Sequence, residues 1–118
     1  MANDFKRICT PSISNSSNST IYAVPNNGGA AVESIVIGIT AANKTSSGVT
    51  IDIFIDNEDG SNDVYIVKGA SIPAGASLEV MSGNKLVLMN DGTNGDNLEA
   101  LASAASAVDV TVSVLEDV

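Results

Sequence analysis

Residues 49–56, VTIDIFID, set Val49, Ile51, Ile53 and Ile55 on one side of an extended chain and Thr50, Asp52, Phe54 and Asp56 on the other. A period of two fits a half-buried strand and no helix. Val108, Val110, Val112 and Val114 repeat the pattern near the end of the chain. Between such runs lie turn residues, and no gap holds the roughly dozen residues of a crossover helix. The strands must therefore run antiparallel.

The rest of the chain reads in the same way. TIYAV (20–24) is a strand closed by Pro25, and NNGG (26–29) is turn chemistry, because Asn and Gly tolerate positive φ. AVESIVIGIT follows as a strand with Ile35, Ile37 and Ile39 on one face and Val36 on the other. A loop at 42–48 precedes VTIDIFID, and DVYIVKG is its partner. Pro73 sets a turn in SIPAGASLEV, KLVLM is a short strand, and NDGTNGDN holds Asp-Gly and Asn-Gly turn signals. In LEALASAASAVDVTVSVLEDV the alanines allow a helix, with Leu98, Leu101, Ala102 and Ala105 on one face. We read it as strand, turn near 104–106, and strand. The expectation is an all-β protein: a single antiparallel β-sandwich or jelly-roll-like domain of about eight short strands over residues 18–118. An N-terminal arm, residues 1–17, precedes it, broken by Pro11 and a Ser/Asn run.

Charge and residue types narrow the function. The 118-residue chain has five basic and 14 acidic residues, a formal charge of −9, and no His. It lacks the basic patch that binding to phosphates requires, so neither nucleic acid nor an anionic membrane is an expected partner. Without His, the commonest metal ligand and general base are missing. The single cysteine, Cys9, permits no intrachain disulfide or Cys-rich zinc cluster and has no His to activate it. No apolar run is long enough to span a bilayer as a helix, and the first residues lack the apolar stretch of a signal peptide. Three glycosylation sequons, at Asn15, Asn18 and Asn43, are of the kind chance gives in an Asn/Ser-rich chain.

The most chemically loaded stretch is IDNEDGSND, around Gly60. Aligned to an EF-hand on that glycine, Asn57 and Asp59 fit, but the first and last ligand positions fall on Ile55 and Ile66. That reading fails, as does the one around Gly92. A different calcium site, from Asp56, Glu58, Asp59 and Asp63, stays open beside the plainer reading of a soluble hairpin tip. No nucleophile motif or phosphate loop is present. The expectation is a protein that is not an enzyme and carries no cofactor.

Residues 35–39 and 86–89 are apolar on both faces, where one face of a sandwich strand should meet water. A packed arm or another subunit would cover the second face, so a homo-oligomer is expected.

The order of motifs carries a resemblance. I-Y-x-V-P, S-I-x-I, V-T-I-x-I, I-P-A-G-x-S-L-E, G-x-K-L-x-L and V-D-V-T-x-S-V-L-E occur in succession over residues 20–116. In this the chain resembles small virion structural proteins of tailed bacteriophages. The resemblance implies a β-sandwich subunit of a head decoration or cement layer, a neck or a tail appendage. It implies other virion proteins as partners and a place in the virion, assembled in the host cytoplasm. It transfers no active site. Beside it, we expect Lys6 and Arg7 to dock the arm against an acidic neighbour, with Phe5 and Ile8 as apolar anchors. The alternative is a host-surface glycan-binding module of a tail appendage, calcium-assisted, using loops 43–48, 57–63 and 91–97. Only four aromatic residues, Phe5, Tyr22, Phe54 and Tyr65, are available to stack on sugars.

Overall fold

In the computed structural model, which describes residues 3–26, 29, 31–56, 63–81 and 85–117, the period-two runs are strands. Nine lie among those residues: β1 (Asn3–Thr10), β2 (Ser19–Ala23), β3 (Val32–Asn43), β4 (Val49–Asp56), β5 (Asp63–Ile72), β6 (Ser77–Glu79), β7 (Leu86–Asn90), β8 (Asn97–Ala102) and β9 (Val108–Asp117). β8 and β9 are separated by a turn, so the alanine-rich stretch does not form a helix.

The pairing is nested and antiparallel throughout. β4 pairs β5, β3 pairs β6 and β7, β2 pairs β8, and β1 pairs β9. The chain is thus one long two-stranded ribbon, closed between β4 and β5 and open at β1 and β9. Pairing of β3 with β9 and of β4 with β8 rolls the ribbon up. One sheet has the order β1-β9-β3 with β6 and β7 sharing the far side of β3, and the other runs β2-β8-β4-β5. Counting β6 and β7 as one interrupted position, this is the eight-position double sheet of a jelly roll. Residues 3–10, from the segment read as an arm, form its edge strand β1.

Alternation fills the space between the sheets. Ile21, Val36, Ile39, Ile51, Ile53, Leu88, Leu98, Val110 and Val112 are buried there. Four register shifts interrupt the described ladders, two of them between β4 and β5; the other two, in β3 and β2, change which residues face the core. In β3, Val36 pairs with Val114 and Gly38 with Ser113, leaving Ile37 as an extra residue. The bulge changes the phase, so Val36 and Ile39 both point inward while Ile35 and Ile37 point outward. The expectation that Ile35, Ile37 and Ile39 share one face is therefore corrected. In β2 the extra residue is Ile21, and both Ile21 and Tyr22 are buried. Inserting one residue without its own partner is what lets neighbours share a face.

Candidate assembly interface

The outer face of the first sheet departs from the apolar-in, polar-out rule. Phe5 on β1 pairs with Leu115 on β9, Leu115 with Ile35 on β3, and Ile35 with Val87 on β7. The register thus lays one apolar residue from each of four strands in a row across the sheet. Phe5 is 77% exposed and Val87 56%, and Leu115 and Ile35 are half-buried between them. Met89, 43% exposed, and Ile37, 41% exposed at the bulge, widen the row. Arg7 and Cys9 continue the outer side of β1, opposite Ser113 and Thr111, and Glu33 lies opposite Met89 on the other flank. An apolar core with a polar margin is the usual anatomy of a protein interface.

The inner side of β1 does something different. Ile8 is half-buried against the core, opposite Val112. Lys6 reaches Glu116, whose carboxylate is buried inside the end of the sandwich with 3% of its side chain exposed; Nζ lies 3.0 Å from Oε1. Tyr22 donates its hydroxyl proton to Glu116 Oε2 at 2.5 Å. That proton being committed, Ser34 donates to the Tyr22 oxygen at 2.7 Å. The β2 bulge turns Tyr22 inward, and Ser34 and Glu116 are register partners on β3 and β9. Burial first, then the hydrogen bond to Glu116, pushes the Tyr22 phenol well above its ordinary range. Hydrogen bonding and charge attraction from Glu116 raise the Lys6 ammonium. An open cleft of about 380 Å³ runs beside the node, between β1 and β2, with Ile8, Thr20, Ala23 and Pro25 among its walls.

Just beyond β1, at the opposite end of the sheet, Pro11 stops the ladder and Ser12 takes φ +54. Ser12 N–H donates to Asp109 Oδ1 at 2.9 Å, and Lys44 Nζ donates to the same oxygen and to Ser12 Oγ, each at 2.9 Å. The Lys44 hydrogen bond, and then that from Ser12, hold the Asp109 carboxyl below its ordinary range. Ile13 follows, fully buried, with its N–H bonded to Val108 O at 2.8 Å.

Of the acidic candidates, Asp56 and Asp63 face each other in register across β4 and β5, with Asn97 on the other side of Asp56. Glu58 and Asp59 lie outside the described residues. Among the described residues no group of three or more His, Cys, Asp or Glu side chains is placed to hold a metal ion. The described residues at and beside the loops of the glycan reading do not share an end of the sandwich. Asp56 and Asp63 lie with residues 91–97, whereas residues 43–48 follow the far end of β3, where Asn43 sits beside Val108. In both described loops polar side chains hold their own backbone. Asn43 donates to Ser47 O, Ile72 O and Pro73 O, and Asp91 accepts from Thr93 N and Asn94 N.

Sequence reasoning singled out Phe5, Lys6, Arg7 and Ile8 and missed what they meet. Phe5 and Arg7 face outward, while Lys6 and Ile8 face the interior. A glutamate in the alternating valine run of β9, on the same side as Val112 and Val114, was the available signal for Glu116.

No family model matches the chain, and no curated protein is significantly similar to it. Solved structures do match. The Drosophila NLP-core, studied for pentamer formation and histone binding, is 11% identical over 97% of this chain and 95% of its own, with a TM-score of 0.54. A Bacillus endospore appendage protein of disulfide-linked pili is 17% identical over 97% and 86%, with a TM-score of 0.42. A pentameric capsid protein from metagenomic phage sequences is 19% identical over 92% of this chain and 59% of its own, with a TM-score of 0.41. The first of these likenesses is one of fold alone: a two-sheet β-sandwich.

Proposed function

We propose that this protein is a non-enzymatic structural subunit of a tailed-phage virion, assembling with copies of itself and with other virion proteins as a head decoration or cement protein or a neck- or tail-associated subunit. The observation that carries the reading is the row Phe5–Leu115–Ile35–Val87 on the outer face of the β1-β9-β3-β7 sheet. With Met89 and Ile37, its exposed apolar surface is on the order of 400 Å², the scale at which patches on a monomer are often functional. That is about half of the ~800 Å² one partner contributes to a standard interface, close to the nonpolar share of such interfaces. The jelly roll by itself hosts both capsid and lectin domains, so fold alone does not choose between them. The motif order over residues 20–116 and the internal use of loop polar groups favour the structural role over glycan binding.

The test is the solution mass of the full chain by sedimentation across a wide concentration range, compared with Val87→Lys. Val87 lies on a short strand and is more than half exposed, so the substitution spares the core. A wild-type oligomer that becomes monomeric in the variant, with an unchanged melting temperature, supports the reading. A wild type that stays monomeric, or a variant that associates equally well, overturns it.

A further inference from the structure

The open end of the ribbon has the construction of an exchangeable strand. Among the described residues β1 is hydrogen-bonded to β9 alone, at the edge of its sheet. The chain is anchored again at Ile13, which is fully buried and bonded to Val108, and at Ser14, whose carbonyl accepts Ala102 N at 3.0 Å. Only Pro11 and Ser12 lie between the strand and its anchor. Ser12 is held there in a left-handed backbone conformation that a non-glycine residue adopts at a cost. A short, strained connection beside an edge strand invites exchange, because opening the hinge relaxes the strain and every contact of the strand can be remade between molecules.

The slot that β1 fills is also selective. Glu116 is a buried carboxylate whose Oε1 faces the Lys6 ammonium, and removing β1 would leave that charge buried without its cation. An occupant must be an extended strand that carries a cation on its inner face in this register, with an apolar residue two positions on, as Ile8 is. A second copy of β1 meets both requirements.

We propose that in the assembled state β1 of each subunit leaves its own β9 and completes the sheet of a neighbouring copy, pairing its Lys6 with that copy's Glu116. The inference rests on the assembly reading above but is separable from it. Exchange delivers Phe5 to the neighbour's apolar row in the same step, so the strand and the row become parts of one interface.

The lone cysteine supplies the test. Cys9 is exposed and opposite Thr111 in the β1–β9 register, so Thr111→Cys places a second thiol across the pairing. The full-length variant is oxidised, or treated with a short bis-maleimide, at concentrations that give assembled and monomeric fractions. Each fraction is then run on a denaturing, non-reducing gel. Exchange predicts covalently joined chains in the assembled fraction, above the level of wild type and of Cys9→Ser/Thr111→Cys, and internally linked single chains in the monomer. Internally linked single chains in the assembled fraction overturn exchange and leave assembly standing. Absence of any assembled fraction overturns both. A pair of hinge variants reads the same point without cross-linking. Ser12→Gly, which tolerates the left-handed conformation, should lower the assembled fraction, and Ser12→Pro, which forbids it, should raise the association constant about tenfold. Equal association of the two variants counts against a strained hinge as the driver.

Discussion

The Tyr22 hydroxyl links residues that the chain places far apart: Ser34 on β3 and Glu116, 94 positions away on β9. Its removal in Tyr22→Phe leaves a buried carboxylate oxygen and a serine hydroxyl without their partner. A hydrogen bond to a charged group contributes about 1.5–3 kcal/mol, and the expected loss in urea unfolding is of that size. A loss near zero would mean that water replaces the hydroxyl. The same node gives an alkaline limit. The Lys6 ammonium is raised above its ordinary 10.5, so its contribution is fully present below that value and is lost as pH rises through the higher folded value. The Tyr22 phenol, also raised, loses its contribution in the same direction. Stability measured by denaturant titration from neutral pH to above 10.5 should therefore fall more steeply for wild type than for Lys6→Met. Parallel curves would show that the ion pair is screened by solvent, as exposed pairs often are.

Strands were legible wherever alternation was uninterrupted. Val49 to Ile55 and Val108 to Val114 point where the sequence indicates, because the irregularities beside them put the extra residue in the opposite strand, β5 or β3. Ile37 was not legible, because a bulge is decided by the strand opposite: β9 offers one residue, Ser113, where β3 has two. Nor was the Tyr22–Glu116 node, whose members meet only after the ribbon has rolled up. Phe54 sits on the outer face as read but is buried there, its ring 5.1 Å from that of Tyr65, with the Lys68 ammonium 4.4 Å from the Tyr65 ring. Two residues further along β4, at the same end of the pair, Asp56 faces Asp63. Like charges directly opposite each other are destabilising, so Asp63→Asn should stabilise by about 0.2–1 kcal/mol at low ionic strength and by less in salt. Sodium and calcium chloride at equal ionic strength should then stabilise wild type equally. A gain specific to calcium, absent in Asp63→Asn, would assign a divalent-cation site to this pair.

On the scale of the whole molecule, two forces oppose each other in any assembly of this chain. Each copy carries a formal charge of −9, so bringing copies together is resisted over distances comparable to the Debye length. The attraction proposed here comes from an apolar row, which is short-ranged and does not weaken with salt. The two dependences have opposite signs, and that makes them separable. Raising ionic strength from ~0.01 M to ~0.15 M shortens the Debye length from about 30 Å to about 8 Å. The repulsion is screened while the apolar contact is unchanged, and the Lys6–Glu116 pair is partly protected by the burial of its acidic member. Association, followed by sedimentation across this range, should strengthen with sodium chloride, and strengthen further with sulfate, which favours apolar burial. Association that weakens with salt would mean that ion pairs between copies hold the assembly, with Arg7 the first residue to substitute, since its side chain lies on the outer face beside the row.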